Sequence, residues 1–167
     1  MARAGVGVDI LEISRMERAA TRHPSFLSRV FTEEERAYCE SCARPLEHYA
    51  ARFAAREAVL KALGTGFSQG IGLADVSVAN NEAGRPEAVL VGRAREVADE
   101  LGIVEVALSL SYTHDIAVAN AVAMTDEVRP KQEERPDPKE ELRASFREAR
   151  SVIDELERVE EQGQTTE

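Results

Sequence analysis

The residues of this sequence whose types and spacing could do chemistry are two carboxylates and a lysine. Asp9 ends a short apolar segment, and a carboxylate at the end of a strand lies at a sheet edge that ligands can reach. Glu57 and Lys61 are four residues apart, so a helix would place both on one face. The segment GTGFSQGIG (64–72) follows, and its glycines let backbone N–H groups approach an anion. This arrangement predicts a phosphate-binding site.

Local reasoning leaves an ordinary explanation open for each of these side chains. Asp9 could be the N-cap of a following helix, since aspartate is a preferred capping residue. Glu57 and Lys61 could form an exposed intrahelical ion pair, worth ~0.2–0.5 kcal/mol. Arg52 and Arg56 lie on the same predicted helix, and their positive charge beside Lys61 favours the phosphate-binding interpretation.

The elements that must position these residues follow from hydrophobic periodicity and from turn residues. We expect a strand at 3–9 and then three helices, at 10–23, from the capping box of Thr32 and Glu35 to about Cys42, and at 46–63. Strands at 75–80 and 87–91 should follow, joined by the turn NEAGRP (81–86). We expect the domain to end with a helix at 93–101 and a hairpin of strands at 104–112 and 116–124. Mixed strands with segregated helices predict an α+β fold.

Small residues occupy one face of the last predicted strand. They are Ala117, Ala119, Ala121 and Ala123, and they alternate with larger side chains. Because small side chains let a helix lie close to a sheet, we expect this face to contact a helix.

Charges and prolines divide the chain near residue 126. Residues 1–125 suffice for one domain with its own core, whereas TDEVRPKQEERPDPKEE holds three prolines and many charges. Positions 126–167 hold 14 acidic and 8 basic residues, so more than half of the net charge of −10 lies there. This tail has heptad spacing at Leu142, Phe146, Ala149, Ile153 and Leu156. We expect a charged linker and a helical tail, which is either loosely packed or disordered, or forms a small coiled-coil contact between subunits.

Composition excludes several classes of protein. A net charge of −10 argues against nucleic-acid binding, which needs a basic surface. No apolar run approaches the ~20 residues of a membrane-spanning helix, and the N-terminus lacks the apolar segment of a signal peptide. Cys39 and Cys42 are too few for a disulfide framework, and without a second pair we expect reduced cysteines rather than a zinc site. We therefore expect a soluble cytoplasmic protein with no membrane or nucleic-acid partner.

Three blocks of the sequence and one turn resemble a known family. The blocks are GVGVDILEISRM (5–16), FTEEERAYC with RFAAREAVLKALGTG (31–39 and 52–66), and LSLSYTHDIAVANAVA (108–123), and the turn is NEAGRP (81–86). Their order and spacing over residues 3–125 are similar to those of the holo-acyl-carrier-protein synthases. These are the small bacterial type of 4′-phosphopantetheinyl transferase.

The resemblance implies a fold, an assembly and a reaction. An α+β sheet would wrap around a long helix, and three copies would form a homotrimer with active sites between subunits. The enzyme would use Mg²⁺ to move the phosphopantetheine arm of coenzyme A onto a serine of an apo acyl carrier protein, releasing adenosine 3′,5′-bisphosphate. We expect the carrier to belong to fatty-acid synthesis, and a carrier of a polyketide system is the alternative.

The resemblance also assigns roles to residues. Asp9 and Glu57 match Mg²⁺ ligands, and Lys61 matches a residue near the pyrophosphate, where it can stabilise the departing phosphate. The serine proton would go to Glu57 or to a metal-bound water, and both alternatives stay open. The predicted coenzyme contacts are Arg52, Arg56, Lys61, Gly64, Gly66, Arg85, Pro86, Tyr112 and Thr113. The predicted contacts with the acidic carrier are Arg15, Arg18 and Arg22. Arg18 and Arg22 could equally form a solvated helix face.

Three positions depart from the family pattern. Arg56 stands where lysine is usual, Tyr112 where histidine is common, and Leu73 where tryptophan is common. Arg56 keeps the charge but changes the geometry of a phosphate contact, and His114 could take the place of the missing histidine. None of the three changes removes a predicted metal ligand.

Two other functions compete with the transferase hypothesis. A non-catalytic coenzyme-binding or assembly subunit is disfavoured, since Asp9, Glu57 and Lys61 are all present. A generic Mg²⁺-dependent nucleotide hydrolase is disfavoured because the sequence lacks the motif G-x-x-x-x-G-K-[ST].

Overall fold

The computed structural model describes residues 4–66, 68, 70–130 and 145–151. Its elements are β1 (Ala4–Glu12), α1 (Ile13–Arg22), α2 (Phe26–Val30), α3 (Glu33–Ser41), α4 (Pro45–Leu63), β2 (Val76–Asn80), β3 (Pro86–Leu90), α5 (Gly92–Glu100), β4 (Ile103–Tyr112) and β5 (Ile116–Thr125). All of these belong to the first of two units, Met1–Arg129 and Pro130–Glu167. Within the described ranges, no helix is long and apolar enough to span a membrane.

Of the predicted linker and tail at 126–167, the structure describes residues 126–130 and 145–151. The segment 145–151 is helical. Phe146 and Ala149 lie in this segment, and the side chain of Phe146 is exposed. Leu142, Ile153 and Leu156 lie outside the described residues, so the heptad contact stays a prediction. The division into a domain at 1–125 and a tail at 126–167 stays a prediction as well.

The five strands form one antiparallel sheet in the order β1-β5-β4-β3-β2. The long helix α4 packs against β1, β5 and β4. The combination of one antiparallel sheet with helices packed against it confirms the predicted α+β class.

Small residues let α4 lie close to the sheet. A methyl group on Gly5 or Gly7 would overlap the carbonyl oxygens of Ala62 and Ala58, so only glycine fits at these positions of β1. On β5 the fully buried residues are Ala117, Ala119, Ala121 and Ala123. The predicted contact between a helix and this alanine face is confirmed. Since side chains alternate along a strand, Asp9 lies on the same face as Gly5 and Gly7 and projects towards α4.

The first helix begins later than the predicted residue 10. β1 continues through Glu12 because Ile10, Leu11 and Glu12 all pair with β5. α1 then begins at Ile13 with Glu12 as its N-cap residue. The hypothesis that Asp9 caps this helix is therefore wrong, and another explanation is needed for its carboxylate.

The other predicted elements agree with the structure to within one residue. The capping box is confirmed, since Thr32 Oγ1 accepts from the Glu35 N–H at 3.2 Å and the Glu35 carboxylate accepts from the Thr32 N–H at 3.0 Å. The sequence did not predict α2, because a helix of five residues is too short to show a period.

The face of β1 opposite α4 is apolar and exposed. Val6, Val8 and Ile10 are 68%, 45% and 60% exposed. Three large aliphatic side chains in alternate positions of an edge strand form a continuous apolar surface, which we call the outer face of β1.

Candidate active site

Lys61 forms an ion pair with Asp9 across the contact between α4 and β1. Its Nζ donates hydrogen bonds to Asp9 Oδ1 at 2.8 Å and to the Val8 carbonyl oxygen at 3.0 Å. The Lys61 side chain is 48% exposed and the Asp9 side chain 14%. The hydrogen-bonded partner of Lys61 is thus a strand residue, rather than the Glu57 that helical spacing alone suggested.

Glu57 lies one turn before Lys61 on α4 and faces the same charged groups. Burial raises the pKa of Glu57 and the negative charge of Asp9 raises it further, whereas the charges of Lys61 and Arg15 lower it. Because the charges of Asp9, Lys61 and Arg15 all act on Glu57, we treat these four side chains as one cluster where β1, α1 and α4 meet. The structure therefore brings together the two predicted metal ligands and the predicted phosphate-binding lysine.

The acidic pair, Asp9 and Glu57, suits a hard divalent cation. A positive charge shared between two neighbouring carboxylates stabilises both, and the Lys61 ammonium already provides one at Asp9. In the part of the chain that the structure describes, no group of three or more acidic, histidine or cysteine side chains could hold a metal ion. The protein would supply two ligands, and Mg²⁺ commonly takes the others from water and substrate phosphates.

The glycines after α4 end the helix. Gly64 and Gly66 have φ angles of 79° and 54°, in the left-handed region that favours glycine. The N–H groups of Gly64, Thr65 and Gly66 donate to the carbonyl oxygens of Lys61 and Leu60. These N–H groups are occupied by the helix end, so the expected backbone cradle for a phosphate is not formed at 64–66. The two glycines instead leave open space beside the last turn of α4.

Arg56 is enclosed by protein, which does not agree with its predicted contact with a coenzyme phosphate. Its guanidinium donates hydrogen bonds to Glu35 and, at 3.3 Å each, to the carbonyl oxygens of Leu73 and Arg52. The ring of Phe31 covers it, with Cζ 4.7 Å from the ring centroid. Since the side chain is only 1% exposed, it cannot reach a phosphate at the surface without leaving Glu35.

Glu35 is the buried acceptor that balances Arg56. Its Oε2 accepts from Arg56 and from the Thr32 N–H, and its Oε1 accepts from the Val78 N–H at 2.9 Å. Val78 belongs to the edge strand β2, so this one carboxylate fastens α3 and β2 to α4. The pair of Glu35 and Arg56 therefore stabilises the packing of α3, α4 and β2.

Arg52 lies on the same side of α4 as Arg56. Its Nη2 donates to Asn80 Oδ1 at 3.1 Å, and its Cζ lies 4.0 Å from the centroid of the Tyr38 ring. These residues line a cleft of about 420 Å³ between α3, α4 and β2. On a helix with 3.6 residues per turn this side is far from that of Glu57, so one chain does not bring the two arginines to the acidic pair.

The turn between β4 and β5 meets the N-terminal end of α4. The rings of Tyr112 and His48 lie 5.0 Å apart, and Tyr112 Oη is 3.4 Å from His48 Nε2. Burial lowers the pKa of His48, and the nearby charge of Arg52 lowers it further. Thr113 stabilises the turn, since its hydroxyl oxygen accepts hydrogen bonds from the N–H groups of Asp115 and Ile116 at 3.2 and 3.3 Å.

A second charged cluster at this end of α4 was missed by sequence reasoning. Arg44 Nη1 lies 2.6 Å from His114 Nδ1 and 3.3 Å from Glu47 Oε1. Hydrogen bonds from His114 and Arg44 lower the pKa of Glu47. The three-residue spacing of Arg44 and Glu47 was a visible signal, but the approach of His114 depends on the position of the β4–β5 turn.

Arg85 and Pro86 lie three strands away from Asp9 across the sheet. They precede or begin β3, which is separated from β1 by β4 and β5, a distance of roughly 14 Å at ~4.8 Å per strand. The Arg85 N–H donates to Asn81 Oδ1 within the turn. A single chain does not bring these residues to the acidic pair.

The predicted carrier contacts lie on the exposed side of α1. Arg15, Arg18 and Arg22 are exposed, whereas Ile13 and Met16 on the other side of the helix are buried. Arg15 is also close enough to Glu57 to lower the pKa of that carboxyl.

Comparison with known proteins gives the same family as the sequence blocks. The family model of the 4′-phosphopantetheinyl transferase superfamily matches residues 5–120. The holo-acyl-carrier-protein synthase of Moorella thermoacetica is 49% identical over 120 residues, which cover 72% of this chain and 91% of that protein.

Solved structures agree with this result. The holo-acyl-carrier-protein synthase from Neisseria meningitidis has a TM-score of 0.65 and 32% identity, covering 71% of this chain and 96% of that one. The holo-acyl-carrier-protein synthase from Bacillus anthracis, in complex with CoA (3′,5′-ADP), has a TM-score of 0.61 and 31% identity, covering 75% and 99%. The chain therefore belongs to the 4′-phosphopantetheinyl transferase superfamily and is a transferase of the holo-acyl-carrier-protein synthase type.

Proposed function

We propose that this chain transfers the 4′-phosphopantetheine group from coenzyme A to a serine of an apo acyl carrier protein, with Mg²⁺ held by Asp9 and Glu57. The observation that carries the proposal is the cluster of these carboxylates with Lys61. A solved relative in complex with CoA (3′,5′-ADP) supports the choice of coenzyme. The carrier of fatty-acid synthesis is the first substrate to test.

Two features of the cluster match the charges that the reaction moves. The serine oxygen attacks the β-phosphorus of the coenzyme, the bond to the bridging oxygen breaks, and adenosine 3′,5′-bisphosphate leaves. Mg²⁺ bound at the acidic pair would neutralise charge on the pyrophosphate oxygens. The Lys61 ammonium, with three donors on a flexible stem, would place positive charge beside the departing phosphate.

Glu57 is our candidate for the general base that accepts the serine proton. Its pKa is raised by burial and by Asp9, which makes it a stronger base than an ordinary glutamate. A water molecule at the acidic pair is the alternative acceptor.

A homotrimer with active sites between subunits would bring together residues that one chain keeps apart. Arg85 and Pro86 lie across the sheet from the acidic pair, and Tyr112 and Thr113 lie at the other end of α4. The outer face of β1 supports such an assembly, because exposed aliphatic patches are typical of subunit contacts.

Sedimentation velocity tests this assembly. The wild type should sediment as a trimer, and Val6→Glu should sediment as a smaller species, since it places a charge in the outer face of β1. A wild-type protein that stays monomeric at all concentrations would contradict the proposed trimer.

Docking of the carrier is assigned to α1, whose arginines offer positive charge to an acidic partner. Arg18→Glu with Arg22→Glu should raise the KM for the carrier and leave the KM for coenzyme A unchanged. An unchanged KM for the carrier would identify the two arginines as a solvated helix face.

The reaction itself is tested by incubating the protein with coenzyme A, Mg²⁺ and an apo carrier. Mass spectrometry should show the carrier gaining one phosphopantetheine group. Asp9→Asn and Glu57→Gln should each lower kcat by roughly 10²–10³-fold, because each removes a charge needed in the transition state. Asp99→Asn is the control, since it changes an exposed carboxylate that pairs with Arg95 on α5.

Two results would contradict the proposal at different levels. No mass gain on any carrier would exclude the proposed transfer. Normal turnover by both Asp9→Asn and Glu57→Gln would leave the transferase in place and show that the metal assignment is wrong.

A further inference from the structure

The contact between Lys61 and Asp9 places a cation on a proposed metal ligand. The Lys61 Nζ donates hydrogen bonds to two acceptors there, Asp9 Oδ1 and the Val8 carbonyl oxygen. Only 14% of the Asp9 side chain is exposed, so the ammonium group occupies one of the few directions from which a cation can approach. A divalent ion bound to Asp9 would have to share this space with a positive charge.

Lys61 is also free to move away. It lies in the last turn of α4, its side chain is nearly half exposed, and Gly64 and Gly66 leave open space beside that turn. A lysine ammonium on its flexible stem can exchange one anionic partner for another, because it acts as a point charge with rotatable donors. If the ammonium group leaves, the mostly buried Asp9 carboxylate needs another cation.

We propose that Lys61 is an exchangeable counter-ion, which neutralises Asp9 before coenzyme A binds and turns to the coenzyme pyrophosphate afterwards, opening Asp9 to the metal. This inference rests on the proposed function, since it takes Asp9 and Glu57 as metal ligands. Its consequence is a coupling of the two ligands: metal alone binds weakly, and each of metal and coenzyme strengthens the binding of the other.

The direct test is the binding of Mn²⁺, a spectroscopic substitute for Mg²⁺, to the full-length protein in the absence of coenzyme. Free Mn²⁺ is measured by electron paramagnetic resonance. Lys61→Met keeps most of the stem and removes the charge, so it should bind Mn²⁺ about tenfold more tightly than the wild type. Saturating coenzyme A should tighten Mn²⁺ binding strongly in the wild type and much less in Lys61→Met.

Arg15→Met is the matched control. Arg15 also places positive charge near Glu57, but it is Lys61 that is hydrogen-bonded to Asp9. A general loss of positive charge would raise the Mn²⁺ affinity equally in the two variants. Equal affinities, or a Lys61→Met protein that binds Mn²⁺ no more tightly than the wild type, would overturn the counter-ion role.

Asp9→Asn separates a failure of this inference from a failure of the proposed function. If Asp9→Asn binds Mn²⁺ like the wild type with coenzyme A present, the metal assignment is wrong and the counter-ion role falls with it. If Asp9→Asn loses Mn²⁺ while Lys61→Met is unchanged, the metal assignment stands and only the counter-ion role is overturned. Circular dichroism of each variant establishes that it is folded.

Discussion

Two ion pairs connect different sides of α4 to neighbouring elements, and they differ in burial. Arg56 pairs with Glu35 from α3, and both side chains are 1% exposed. Lys61 pairs with Asp9 from β1, and these side chains are 48% and 14% exposed. We call the first the closed pair and the second the open pair.

The difference in burial separates a pair that suits a structural role from a pair that a ligand can reach. The closed pair finds all of these partners within the protein, since Glu35 accepts three hydrogen bonds and Arg56 donates three. Removing either member would leave a buried charge uncompensated. The open pair meets solvent, so its members can exchange partners at little cost. In this chain the closed pair holds α4 in place, and the open pair lies in the candidate active site.

Breaking the closed pair should have the largest effect on stability. Glu35→Gln should lower the free energy of unfolding by about 3–5 kcal/mol, because Arg56 would stay buried without its counter-charge. Urea denaturation measures the change. Glu34→Gln, which alters the exposed neighbour on α3, should stay within about 0.5 kcal/mol of the wild type. A Glu35→Gln protein with the wild-type unfolding midpoint would show that the closed pair does not hold the fold.

Gly7→Ala should have the next largest effect on stability, at the contact between β1 and α4 where the open pair lies. Its methyl group would overlap the Ala58 carbonyl oxygen and push β1 from α4, at a cost of about 1–3 kcal/mol. Gly72→Ala is the control, since its methyl group would make only ordinary contacts with Asp75. Equal unfolding free energies for the two variants would show that β1 can move away from α4 without loss of stability.

Lys61→Met should cost far less stability than Glu35→Gln. An exposed ion pair contributes only ~0.2–1 kcal/mol, and the loss should fall in this range in the same urea experiment. The comparison of the two pairs depends on this contrast. A loss as large as that of Glu35→Gln would show that the open pair stabilises the fold as much as the closed pair does.

The pH dependence at Glu57 should give the smallest effect. A glutamate whose folded-state pKa is raised contributes stability below its ordinary value of 4.5 and loses it as pH rises through the folded-state pKa. Ionised Glu57 therefore opposes folding at neutral pH, and Glu57→Gln should be slightly more stable than the wild type there. This advantage should vanish below the ordinary glutamate value. Thermal unfolding across this range gives the sign, and a difference independent of pH would contradict it.

Much of the fold was predictable from the sequence because its signals are local. The bounds of α4 follow from Pro45 and Gly64, and the start of α3 follows from the capping box of Thr32 and Glu35. The length of β1 was not predictable, since residues 10–12 resemble a helix start until they pair with β5.

The candidate site divides in the same way. The sequence by itself determined which residues are candidates for the chemistry, because Asp9, Glu57, Lys61 and the family blocks are properties of type and spacing. Only the tertiary structure decided which charges meet. Lys61 finds Asp9 and Arg56 finds Glu35, on opposite sides of one helix, because the sheet register and the packing of α3 bring distant parts of the chain within hydrogen-bonding distance.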